Sequence, residues 1–246
     1  MGDLFESQLR GELVLMLNQY KMLSQSMNDE LEPLSYAIEM PEVVDGCVLA
    51  GQLKCRAARQ GTRERYLINI QANALKGSKE IRHDLLFGSW LEFLVLKALG
   101  LEVKVSCLFS DVWIEFDTLG SVENADSTFA HDQLKAKSHL IELVERCIGG
   151  QTKLLPMPLK TALKYAQEIN PDKALESARE VYEGGYKASF FESQEMSLGR
   201  AYPQFCDLIK NPSTLEVWVS VLGPFLEWVK TLQVREYEVV DEGVTP

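Results

Sequence analysis

The fold turns on residues 85–116, LLFGSWLEFLVLKALGLEVKVSCLFSDVWIEF. Phe87, Trp90, Leu91, Leu94 and Ala98 recur at the spacing of one helix face, which predicts a long helix over about 78–99. Gly100 stands where that helix should stop, since glycine closes a helix without steric penalty. The rhythm then changes to two. Residues 101–109 and 112–116 alternate and meet at Ser110-Asp111, which reads as a hairpin.

The same period of two runs upstream, through 34–40, 47–56 and 65–73. The turn-like Val44-Asp45-Gly46 and Gln60-Gly61-Thr62 join these runs into an antiparallel meander. Before them, Phe5, Leu9, Leu13, Leu17 and Tyr20 predict an amphipathic helix over 4–23, broken by polar residues at 28–33. A polar loop at 121–128 leads into helical patterns at 129–148, 159–169, 172–184, 202–210 and 213–230. Pro156, Pro158, Pro171, Pro203 and Pro212 supply the breaks. The expected class is α/β of the mixed α+β kind, in one domain over 1–235. Its sheet core spans 34–118 and its helical part 129–230, and an acidic, frayed tail follows at 236–246.

Charge and composition narrow the function. The 36 acidic residues outweigh 25 basic ones, giving a net charge of −11. That opposes a surface that coats nucleic acid by charge, because such binding neutralises phosphates with Lys and Arg. The charge is uneven: residues 1–53 carry −7, 54–82 carry +6 and 83–246 carry −10. The basic island is densest at 54–65, where Lys54, Arg56, Arg59, Arg63 and Arg65 face only Glu64. A solvated hairpin is one reading of it, and contact with phosphate or an acidic partner is the other. The most apolar stretch, 85–99, is short for a membrane span and carries Glu92 and Lys97. The start, Met1-Gly2-Asp3-Leu4-Phe5-Glu6, lacks a signal peptide's basic and apolar regions and the Ser or Thr of a myristoylation motif. Five scattered cysteines with no C-x-x-C pair read as reduced thiols. The expected location is the cytoplasm.

Recognisable catalytic chemistry is sparse. His131 and His139 lie eight apart and His83 stands alone, so none makes the close pair that a helical zinc site uses. No G-x-S-x-G or G-x-x-x-x-G-K-[ST] occurs. Glu102-Val103-Lys104 is an E-x-K on an expected strand, a spacing that puts a carboxylate and a lysine on one face, as metal-dependent nucleases do. The acidic partner such a site needs is missing from the preceding element, whose Asp84 is badly placed. Asp111, Glu115 and Asp117 alternate in the same way and read as a polar strand face. No metal or cofactor is expected.

Taken in order, these elements resemble a known family. Gly88-Ser89-Trp90-Leu91-Glu92-Phe93-Leu94-Val95 resembles the W-L-E-x-L helix of the C-terminal domain of RecC, the gamma subunit of exodeoxyribonuclease V. Leu49-Ala50-Gly51-Gln52-Leu53 is similar to that family's glycine-containing strand. Leu154-Leu155-Pro156-Met157-Pro158 resembles its leucine–proline stretch, and Ala178-Arg179 with Tyr182-Glu183-Gly184 its A-R…Y-E-G helix. Tyr202–Phe205 and Gly223-Pro224-Phe225-Leu226 resemble its final helices, so the similarity runs over roughly 5–230. RecC chains are much longer, so the resemblance implies an isolated domain, with Met1-Gly2 consistent with a cloning scar.

The resemblance implies a PD-(D/E)XK, RecB-type core, a mixed sheet flanked by helices, that has lost its active site. It places Lys54 where an active enzyme has its metal-binding Asp, and Asn69 and Gln71 where Asp and Lys would stand. A lysine has no acceptor for a metal, and Gln71 lacks the cation that stabilises developing negative charge. The implied protein is a non-catalytic subunit domain working with RecB-like and RecD-like partners and, through them, DNA, in double-strand-break repair and recombination. Arg56, Arg59, Arg63 and Arg65 are the expected contacts. Two other readings stay open: an interaction module for protein alone, and a metal-dependent nuclease using Glu102 and Lys104.

Overall fold

The computed structural model describes residues 2–25, 31–43, 45–57, 64–76, 81–119, 125–152, 156–185 and 191–237. In order these form α1 (Gly2–Gln25), β1 (Leu31–Glu39), β2 (Val48–Ala57), β3 (Glu64–Ile70), α2 (Phe87–Ala98), β4 (Glu102–Leu108) and β5 (Val112–Phe116). Then come α3 (Ala125–Thr152), α4 (Leu159–Gln167), α5 (Pro171–Glu183), α6 (Met196–Ala201), α7 (Phe205–Leu208), α8 (Ser213–Val229) and β6 (Val234–Glu236). The class is mixed α/β, consistent with α+β. The chain divides into two compact units, one of residues 1–137 with 231–246 and the other of residues 138–230.

The first unit is built on a six-stranded sheet in the order β1-β2-β3-β4-β5-β6. Strands β1 to β3 form the expected antiparallel meander, and β4–β5 the expected hairpin. Between them α2 carries the chain across so that β3 and β4 run parallel, because parallel neighbours need a crossover rather than a turn. Gly100 ends α2 with φ 68°, and its N–H bonds the Lys97 carbonyl. One face of the sheet packs on α2: Leu67, Val103, Val105, Cys107, Val112, Ile114 and Phe116 are buried there. Phe93 of α2 meets Phe116 edge to face at 5.1 Å.

Several boundaries differ from the sequence expectation. The helix expected at 78–99 is shorter: a 3-10 turn at His83–Leu85 precedes α2. The Asp111 carboxylate accepts the N–H groups of Leu75 and Lys76, and Arg82 N–H bonds the Leu75 carbonyl. These bonds tie the segment into a bridge between Lys76 and Ile81. Strand β1 begins at Leu31, inside the expected break, and includes Pro33. An edge strand tolerates proline because its outer amides need no ladder partner. Helix α3 begins within the expected loop, and the helix expected at 202–210 shrinks to α7, with Tyr202–Gln204, around Pro203, parting it from α6, which no expected helix covers. The tail is not frayed at its start. Val234–Glu236 pairs with β5, and the Tyr237 hydroxyl donates to the Phe109 carbonyl.

The second unit is helical. Trp218 of α8 donates its indole N–H to the Pro156 carbonyl at 2.8 Å. Buried Glu192 accepts the N–H groups of Lys160 and Thr161 and so caps α4. This satisfies two of the amides that a helix start leaves open.

Candidate functional site

The resemblance points at β2 and β3, and the ladders fix how their side chains are dealt out. Strand β1 pairs with β2 without interruption from Leu31↔Arg56 to Glu39↔Val48. Strand β3 pairs with β4 from Glu64↔Glu102 to Ile70↔Leu108. Arg56 sits opposite Tyr66, and Ala57 opposite Arg65. Neither strand is bulged, so alternation is strict. Positions 65, 67 and 69 share a face with 51, 53, 55 and 57, while 54 and 56 share the other face with 66, 68 and 70.

Asn69 therefore faces α2, and its amide is bonded there. Its Nδ2 donates to Ser89 Oγ at 2.7 Å and to Glu92 Oε2 at 2.9 Å. Gln71 turns the same way, donating from Nε2 to the Leu85 carbonyl at 2.9 Å, while its N–H bonds the Leu108 carbonyl. Cys107 lies opposite Asn69 in the parallel ladder and is wholly buried. Burial pushes its thiol up to about 12, partly offset by a hydrogen bond with Ser89 and reinforced by the Glu92 charge. Asn69, Ser89, Glu92 and Cys107 thus form one polar knot between β3, β4 and α2, with Gln71 bonded beside it to the turn before α2.

Lys54 is not part of it. It projects from the opposite face of β2 and is exposed. The β2 position that shares the face of Asn69 is Leu53, and Leu53 cannot bind a metal either. Strand β2 contains no acidic residue. Gly51, the glycine of the same segment, has a packing reason: a Cβ there would lie 2.6 Å from the Tyr36 hydroxyl oxygen of the paired strand.

Of the basic residues singled out by charge, Arg59 and Arg63 lie outside the described residues. Positions 56 and 65 fall on opposite faces of the sheet, so they do not make one patch on a single face. Arg65 itself is half-buried. The E-x-K pair also faces away from the knot. Glu102 is exposed, and Lys104 is held by Glu115 at 2.5 Å. Glu115 also meets Arg235 at 3.6 Å, and the Arg235 guanidinium stacks on Trp113. His131 is exposed and His139 half-buried on α3. Among the described residues no three His, Cys, Asp or Glu groups come together as a metal site, and no helix is long and apolar enough to cross a membrane.

Sequence reasoning did not single out Ser89, Glu92 and Cys107 as site residues. A signal was available: a carboxylate inside an apolar helix needs a buried or half-buried partner, and Asn69 is that partner. Among known proteins, a family model described as the RecC C-terminal domain matches residues 1–170. No curated protein matches the chain.

Proposed function

The chain belongs to the RecC C-terminal domain family, and on that premise we propose that it is a nuclease-like domain without catalysis of its own. In this reading the core derives from PD-(D/E)XK nucleases and serves the gamma subunit of a RecBCD-type helicase–nuclease in the cytoplasm. Its partners are RecB-like and RecD-like subunits and, through the complex, DNA. Its part in double-strand-break repair and recombination is to help assemble the subunits and to guide or split the duplex. The family match ends at residue 170, so including the rest of 1–235 in the same domain belongs to the proposal.

One observation carries the absence of catalysis. At the position of the degenerate site, Asn69 spends its amide on Ser89 and Glu92, and β2 offers no carboxylate beside it. A divalent metal takes several anionic or carbonyl oxygens. Glu92 is the only carboxylate bonded into the knot, and it already accepts from Asn69. That the two motif segments fall on neighbouring strands supports descent from such a nuclease.

The test mixes the chain with RecB-like and RecD-like subunits and linear duplex DNA. Co-elution with the subunits, and no magnesium- or manganese-dependent cleavage by the chain alone, are expected. Cleavage lost on Glu92→Gln, or failure to meet either subunit, would overturn the reading. Charge reversal at Arg59 and Arg63 should weaken assembly or DNA affinity; no effect on either removes those contacts.

A protein-only interaction module is the second reading. It is favoured by the exposed, mostly uncharged patch of Ser35, Ala37, Val48, Ala50, Gln52 and Ile70, and a DNA titration showing no binding would support it. Cleavage abolished by Glu102→Ala would instead revive a nuclease on β4, where Lys104 already has Glu115.

A further inference from the structure

Helix α3 runs from Ala125 to Thr152, and along it the chain passes from the first compact unit, ending at Lys137, into the second, beginning at Ser138. Helices normally dock through an apolar stripe. Over 130–137 the inward positions are instead Asp132, Gln133 and Ala136, while the largest apolar side chain, Leu134, is 71% exposed. An alanine methyl is the only wholly buried apolar group in that stretch.

Polar groups hold this stretch at several points. Lys97 Nζ of α2 lies 3.9 Å from Asp132 Oδ2, with both side chains sealed from solvent. Asp132 also accepts the Leu119 N–H at 3.2 Å, and Lys135 donates to the Leu119 carbonyl at 3.3 Å. Gln133 donates to the Ala98 carbonyl at the end of α2. Lys137 meets Glu42 at 3.6 Å. Burial opposes both central charges, pulling Lys97 down and pushing Asp132 up from their ordinary ranges. Such a pair fixes one geometry but adds less stability than an apolar contact of equal volume.

We infer that residues 130–137 are held by a polar clasp centred on Lys97–Asp132, which opens while the sheet stays folded. The device is a conformational one: the helix that leads out of the sheet unit has a releasable attachment over 130–137. Segments with few buried apolar contacts are those that open locally, ahead of the core.

Hydrogen exchange on the full 246-residue chain tests it. Asp132→Asn and Lys97→Met, made singly, should speed exchange of the 130–137 amides about tenfold or more. Amides of β3 to β5 should change less than about twofold. The double variant K97M/D132L removes both buried charges and should protect 130–137 at least as well as the native pair. Leu134→Gln should change nothing. Single variants that leave 130–137 unaltered would overturn the clasp. So would singles that speed β3–β5 to the same degree, a double variant less protected than either single, or a freed helix in Leu134→Gln.

Discussion

Asn69→Asp is the sharpest probe of the polar knot. In the native chain Asn69 Nδ2 donates to Glu92 Oε2 at 2.9 Å, so the substitution sets two carboxylate oxygens where a donor and an acceptor now meet. At an effective dielectric of about 20, two unit charges at that distance repel by about 5–6 kcal/mol. The chain escapes most of this by keeping a proton on the pair, as carboxylates in contact do. If the new carboxyl is raised by about two units, the cost at pH 8 is about 2.7 kcal/mol. The lost donation adds about 1 kcal/mol that does not vary with pH. The sign follows from linkage. A raised folded-state pKa means the folded state binds the proton more tightly, so the penalty is absent below the unfolded value near 4 and grows as pH rises. At pH 5 it should have fallen to about 1.5 kcal/mol. Urea unfolding of the variant and the native chain at pH 5 and pH 8, followed by tryptophan fluorescence, measures the difference. A loss equal at both pH values, or none at pH 8, would mean that Asn69 and Glu92 do not face each other.

Three further outcomes follow from other contacts. Gly199→Ala would drive a Cβ into the Ser193 carbonyl oxygen; the backbone must move, and the helical unit should lose about 2 kcal/mol or more in thermal unfolding. Glu192→Ala should cost about 1–3 kcal/mol in the same assay, since two amides at the start of α4 lose their acceptor in a buried setting. Cys107 should resist a thiol reagent in the native chain up to pH 9, because its thiol is buried and held up to about 12, while exposed Cys147 and Cys206 react. Labelling of Cys107 at the rate of Cys147 would contradict that burial.

Much of the fold was legible because its signals are local. The period-two runs at 34–40, 47–56 and 65–73 became β1 to β3, and Gly100 closed α2 because its φ of 68° suits glycine. Where the reading missed, distant residues decided. Asp111 lies 36 residues from Leu75, yet its carboxylate accepts the 75–76 amides just ahead of the expected helix. No window of sequence around 78 contains that acceptor. The tail is a similar case: three residues are too short to announce a strand, and they form one because β5 presents an unpaired edge.

What the sequence around the candidate site does not record is parity. Placing Lys54, Asn69 and Gln71 together assumed that two motif strands deal their side chains to the same face. That depends on whether the sum of paired residue numbers is odd or even, which the register of β2 on β3 sets and no motif records. Arg56↔Tyr66 gives an even sum, so Lys54 shares its face with Ile68, and Leu53 shares its face with Asn69. Leu53, not Lys54, is therefore the β2 position beside Asn69, and Arg65 shares that face while Lys54 does not. The charges that do belong to the interior were visible in the opening stretch. Glu92 and Lys97 are its only ionisable residues over 85–99, and each ends against a partner from another element, Asn69 and Asp132. A charge inside an apolar helix survives folding only if such a partner waits for it. Among the described residues, those two residues mark places where polar contacts join α2 to β3 and to α3.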